Sequence, residues 1–300
     1  MHRQEEMLEE ILRQIARLRS GEGMMEAGLV DTNGSVHDNQ LDFLLNKFAK
    51  LPNFNHQETY RLSVILRNRR IRSRHYVSIS HSLKSKLQHF VDRNQSSLMV
   101  IEGSVADQGA LRDTSTELVT VLKDVNVSVL WVLDPAYLGQ RQSFTPKELL
   151  QCLCLQALKI NRLLHNEKSM SLKVSQMQSA KTSQDWLDVL ESTLIGLRFV
   201  YVVVNTVAQT TNYANIPPQD QVIWYDAFER LIRKLGDRTP NLVLKVVILS
   251  LHSRREILVS SGKQMDAIAC TRIPREMQLK TRRQQVKQTG SRALKLRRLG

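Results

Sequence analysis

Four runs of apolar residues, each of strand length, constrain this chain more than any other feature. They read "SLMVIEG" (97–103), "VSVLWVLD" (127–134), "FVYVVVN" (199–205) and "LVLKVVILS" (242–250). They are rich in Val and Ile and do not alternate with polar residues. A strand of that composition is buried on both faces, which is the condition of a parallel sheet covered by helices on each side. The segments between them carry helical patterns: "GALRDTSTELVTVLKDV", "PKELLQCLCLQALKINRLL", "SQDWLDVLESTLIGLR" and "YDAFERLIRKLG". Pro146 suits a helix start and Gly236 a helix end. Strand and helix in alternation predict an α/β fold, a doubly wound parallel sheet of about five strands, with "AIACT" (267–271) as the short fifth.

Around that sheet the chain divides by composition. Residues 1–20 predict an amphipathic helix, with Leu8, Ile11, Ile15 and Leu18 at helical spacing, Glu in the early turns and Arg in the later ones, an order that favours the helix dipole. Residues 21–40 are rich in Gly, Ser, Asn and Asp and read as a linker. Residues 41–95 are helical again and form an arm; residues 96–273 are the α/β domain; residues 274–300 are a basic tail whose composition predicts disorder.

The charge is distributed unevenly. The net charge is +14, and the stretch from Arg272 to Gly300 holds ten Lys or Arg against one acid, Glu276. Within the arm, "RNRRIRSR" (67–74) carries Arg67, Arg69, Arg70, Arg72 and Arg74. Such segments suit phosphate-rich partners, acidic protein surfaces or nuclear import receptors, and they also occur as solvated helical faces. In the tail, Lys280, Arg282 and Arg283 are followed by Lys295, Arg297 and Arg298, two clusters spaced like a bipartite import signal. Aromatic residues make up only 5%, which argues against a base- or sugar-stacking surface spread over the whole chain. No apolar run reaches the 18 or so residues of a membrane span, and "MHRQEEMLEEILRQ" is too acidic for a signal sequence. The expectation is an intracellular protein, cytoplasmic or nuclear, without membrane contact.

Several chemistries lack their signatures. Cys152, Cys154 and Cys270 are too few and too irregular for a disulfide framework or a zinc site. Cys152 and Cys154, two apart, point to nearly opposite sides of a helix. The sequence has no G-x-S-x-G, His-Glu-x-x-His or Cys-x-x-Cys. His75, His81 and His89 lie in the arm without acids at ligand spacing.

In a doubly wound sheet ligands sit at the carboxyl ends of the strands, which singles out four places. After the first run comes "EGSVADQGALRD". A phosphate loop of the form G-x-x-x-x-G-K-[ST] needs glycines for close backbone approach, Lys for charge and a hydroxyl for magnesium. Here Gly103 and Gly109 are six apart rather than five, and Ala110 and Leu111 occupy the Lys and hydroxyl positions. Ser104 and Arg112 are the remaining polar candidates for an anion. The third run ends on Asn205, where an NTPase would hold magnesium through an acid. Asp134 closes the second run as a candidate metal ligand or an ordinary turn opening. The fourth run leads into Ser250, His252, Arg254 and Arg255, a sensor-like or plain surface loop.

The segments quoted above, with the words "LLQCLCLQAL" and "DWLDVLESTLIGL", resemble the STAND-type, NACHT-like NTPase domains of fungal multidomain proteins over roughly residues 60–260. The resemblance implies a P-loop NTPase-like sheet that in active relatives binds ATP or GTP with magnesium. It makes Gly103 and Gly109 remnants of the phosphate loop and Asn205 the stand-in for the metal acid. With the loop chemistry altered, the leading expectation is a catalytically degenerate interaction or scaffold domain with protein partners and no cofactor. A nucleotide switch using Asp134, Arg112 or Arg254 is one alternative. A nucleic-acid-associated protein that binds through its basic segments is another.

Overall fold

A computed structural model of the chain describes residues 55–73, 81–134, 145–161, 167–208, 220–251 and 270–272. Two helices come first, α1 (His56–Arg72) and α2 (His81–Asp92). Strand β1 (Ser97–Gly103) leads through a single 3-10 turn (Val105–Asp107) into α3 (Gln108–Asp124). Then follow β2 (Val129–Val132), α4 (Pro146–Ile160), α5 (Glu167–Ser179), α6 (Ser183–Leu194), β3 (Phe199–Asn205), α7 (Trp224–Arg238) and β4 (Val243–Leu251). The sheet rests on four strands in the order β2-β3-β4-β1, with the fifth reduced to a three-residue edge strand in the described residues. Beyond β1, among the described residues, β5 (Cys270–Arg272) pairs at the edge; residues 267–269 of the expected fifth strand lie outside the described residues. Every pairing is parallel.

Chirality distributes the helices. The connection from β1 to β2 passes over β4 and β3 to the far edge, whereas β2 to β3 and β3 to β4 each step one place back. Right-handed crossovers that run in opposite directions along a sheet lie on opposite faces. Accordingly α4, α6 and α7 cover Val100, Leu130, Val202, Val246 and Ile248 on one face. On the other, α3 covers Met99, Ile101, Val203 and Leu249, and it does so together with Leu83, Leu87 and Phe90 of α2 and Tyr60 of α1. The described part of the helical arm thus completes the cover of the sheet.

Local sequence explains most of the element ends. The side chain of Thr145 accepts from Glu148 N and the Glu148 carboxylate accepts from Thr145 N, with Pro146 in the first turn, so α4 starts as the sequence requires. Asn126, at φ 57°, reverses the chain after α3. By contrast α7 runs two residues past Gly236, to Arg238. The helix α5 has no counterpart in the sequence reading. Its contrast between faces is weak, with Met177 buried while Leu172 is exposed, and it lies against α6, where the Ser192 hydroxyl reaches Gln176 at 3.4 Å. Cys152 and Cys154 are both buried despite pointing apart, because α4 is enclosed by β2 on one side and α6 on another. Burial pushes the Cys152 thiol up to about 12.

Two buried polar side chains hold the margins of the sheet. Strand β2 lies at an edge, and the Gln156 amide of α4 completes it: its oxygen accepts from Trp131 N at 2.9 Å and its nitrogen donates to Trp131 O at 2.8 Å. Gln156 thus serves as the missing neighbour of an edge strand. Lys245, fully buried in β4, sits in register with Ser97 and Tyr201. Its ammonium donates to Phe90 O at the end of α2 (2.8 Å) and to Ser97 Oγ (3.0 Å), tying the arm to the sheet.

Gln156→Leu keeps the volume of the side chain but orphans two backbone groups. We expect a loss of about 2 to 6 kcal/mol in urea unfolding, from roughly 1–3 for each of the two buried groups left unpaired. Lys245 gives a pH signature. Burial, then Arg93, pull its pKa from 10.5 down to about 8 against the opposing pull of Asp92. Between those values the unfolded chain holds a proton that the folded chain has released, so stability rises as pH climbs from about 8. The neighbouring Tyr201 phenol, raised above 10.0 by burial and by Asp92, reverses the trend once the unfolded chain ionises there. Buried Cys152 and Cys154, whose thiols folding keeps protonated, work the opposite way over the same interval, so the effect is read by difference: from pH 8 to 10 the melting temperature of the native chain should rise relative to that of Lys245→Met.

Candidate functional site

The strand order reverses between β4 and β1, so the carboxyl ends of these strands and of β3 form the place where a doubly wound sheet holds ligands. Gly103 ends β1 there. A Cβ at this position would lie 2.9 Å from Asp107 Cβ and 3.1 Å from Leu111 Cδ1, so only glycine lets the first turn of α3 fold back over the strand. Gly109 carries no such constraint, since nothing lies within 4 Å of a Cβ built on it. It is an ordinary residue of the first turn of α3, not a point of close backbone approach.

The turn between strand and helix is closed by its own carboxylate. Asp107 Oδ2 accepts from the Ser104 backbone N–H at 2.8 Å and from the Ser104 hydroxyl at 2.6 Å. Asp107 is buried. A phosphate bound at the start of α3 would need backbone amides of this turn and the positive end of the helix. At Ser104 that place is taken by a negative charge from the same chain. The pattern Ser-x-x-Asp is visible in the sequence as a capping signature, yet the reading for glycines and lysine passed over Asp107.

One turn further along α3, Arg112 Nε pairs with Asp134 Oδ2. Asp134 is 1% exposed at its side chain, and its charge is met by this guanidinium. The two residues advanced separately as phosphate and metal ligands thus stand together, bridging α3 to the end of β2. Among the described residues, no group of three or more His, Cys, Asp or Glu is placed to share a metal ion.

Asn205 is also engaged. Its amide nitrogen donates to Ser115 Oγ at 3.0 Å, and its amide oxygen accepts from Val207 N at 3.0 Å. Ser115 in turn donates to Arg112 O at 2.9 Å, and Thr206 donates to Leu249 O at 3.0 Å. A carboxylate at position 205 has no hydrogen to give Ser115. The amide instead locks β3 to α3, and the chain Asn205–Ser115–Arg112–Asp134 ties the ends of β3 and β2 to one helix. Ser115 lay outside the sequence reading because nothing in a helix interior marks a serine as a latch.

The remaining candidates divide. Ser250 is buried within β4. Arg67 and Arg70 turn onto α3, where Arg67 meets Glu117 at 3.1 Å and Arg70 Nε reaches both oxygens of Asp113 at 3.1 and 2.9 Å. Arg69 and Arg72 are exposed. His252, Arg254, Arg255, Arg74 and the tail residues Lys280, Arg282, Arg283, Lys295, Arg297 and Arg298 lie outside the described residues, as do the predicted helix of residues 1–20 and the linker 21–40. No described helix is long and apolar enough to cross a membrane.

The groups at this site do not fit a magnesium nucleotide as they stand, because each charge or amide assigned to it already has a partner in the chain. A mutation cycle checks that the central pair is structural. Arg112→Ala takes from buried Asp134 the guanidinium paired with it and should cost about 3 kcal/mol in urea unfolding. Replacing both by leucine should recover most of that loss, since no uncompensated charge then remains.

No protein-family model, curated protein or solved structure matches this chain.

Proposed function

We propose that this chain is an NTPase-like framework of the STAND or NACHT kind that has lost nucleotide chemistry and works as an interaction or scaffold domain. One observation carries the reading: the three positions assigned to phosphate and metal are satisfied within the chain. Asp107 closes the turn on Ser104, Arg112 neutralises Asp134, and Asn205 holds Ser115. The placement of the turn supports the framework half of the proposal. A P-loop fold carries its phosphate loop between a buried strand and the helix that follows, and here β1, the 3-10 turn and α3 occupy that position where the strand order reverses.

An internal carboxylate offers a route to such a loss. It holds the Ser104 amide at the start of the turn and, being tethered, gives up no translational entropy, so a dissolved phosphate reaching for that amide must displace a competitor of like charge. The framework then keeps its shape with no ligand bound, which suits a rigid platform for protein partners.

The test is a melting scan of the full chain with ATP, GTP or ADP, each with magnesium. A nucleotide at 100 times its Kd stabilises the native state by about 2.7 kcal/mol, which for a chain of this size raises Tm by roughly 5–10 °C. We expect no shift with any of the three. A shift of that size with one of them would replace this reading with that of a nucleotide switch.

A further inference from the structure

The arginine cluster of α1 is two surfaces, and they do different work. α1 lies antiparallel on α3. Near its start Tyr60 Oη donates to Thr120 Oγ1 at 3.1 Å, and near its end Arg70 grips Asp113, with Arg67 on Glu117 between them. His56 and Tyr60 set their rings 5.5 and 6.0 Å from that of Trp131, and Lys123 Nζ stands 4.2 Å from the Tyr60 ring. The residues of α1 buried beneath it are Thr59 and Ser63. Ion pairs, rings and small hydroxyl residues therefore fix this helix, and the inward arginines are consumed in doing so.

At 100° per residue the other side of α1 collects Arg61, Ile65, Arg69 and Arg72 within an arc of about 80°, over a length of about 16 Å. All four are exposed. No ion pair among the described residues holds Arg61, Arg69 or Arg72. We propose that this outer row of three arginines is a docking surface for the phosphate backbone of double-stranded nucleic acid.

Three features select that partner. The row is cationic, in a chain of net charge +14; the one acid of α1, Glu58, falls in the same arc one turn before Arg61 and is outnumbered by the three arginines. Two isoleucines of α1 are exposed, Ile65 at 38% within the row and Ile71 at 42% about 120° round the helix from it, so they form no continuous apolar face to enter a lipid surface. The aromatic residues of the helix, His56 and Tyr60, are turned inward onto Trp131, so no ring is offered for the base stacking on which single-strand binding depends. A duplex presents one phosphate about every 1.7 Å of axis, so a row of this length meets several at once. The contact would be independent of sequence.

The test uses the full chain and a fluorescently labelled 24-base-pair DNA of random sequence, with anisotropy measured from 50 to 300 mM NaCl. Arg61→Gln, Arg69→Gln and Arg72→Gln together should leave Tm unchanged. They should weaken binding at least tenfold at 100 mM and flatten the slope of log K against log salt by about 2 to 3. The triple substitution should cause the same decrement in a chain whose tail is already neutralised by glutamine at positions 280, 282, 283, 295, 297 and 298. The proposal falls if the triple variant keeps the native affinity and slope, if the native chain fails to bind the duplex at 50 mM, or if phosphatidylserine vesicles retain the chain more strongly than the duplex does.

Discussion

The handedness of crossover connections determines what the rest of this molecule must supply. Because β1 sends its connection across the sheet in one direction while β2 and β3 send theirs in the other, α3 is the only crossover helix on its face among the described residues. One helix is too narrow to shield four adjacent strands, which stand about 4.8 Å apart. The chain meets this need with segments that precede the sheet. Leu83, Leu87 and Phe90 of α2 fill the apolar part of the gap, and α1 extends the cover toward the edge strand. What reads in the sequence as an arm is, in its described part, a wall of the core.

The means of attachment differ between the two helices. α2 brings apolar side chains and is fixed at its end by the buried ammonium of Lys245. α1 brings hydroxyl groups, rings and two arginines, and α3 answers with Asp113, Glu117 and Thr120. Polar docking of this kind has strict geometry, since each buried charge must meet its partner or impose a heavy cost. The same strictness governs the strand ends, where Asp107, Arg112, Asp134, Ser115 and Asn205 form successive local closures. The polar groups near the reversal of strand order are spent on holding elements together.

Much of the fold was legible in the sequence, because continuous apolar runs and helical periodicity are local properties. The four strands and the helices α3, α4, α6 and α7 follow from them. The sequence also located Gly103, Asp134 and Asn205 at strand ends, where the structure has them. Their partners were hidden. Nothing in "RNRRIRSR" separates Arg70 from Arg69, since only the position of α3 decides which faces inward. Gln156 as a substitute strand, and Lys245 as an anchor inside an apolar run, depend on contacts between residues far apart in the chain. The weakly amphipathic α5 was missed for the opposite reason: its local signal is too faint.

The position of β1 also bears on how the chain comes to be folded at all. Ser96 bonds to Leu244, 148 residues further on, and β1 lies between β4 and β5, both of which follow it by well over a hundred residues. During synthesis the first strand made therefore waits without either neighbour while β2 and β3 are completed. A ribosome stalled before residue 243 releases a chain whose most apolar early segment has nowhere to go, the kind of species that chaperones retain and that aggregates without them.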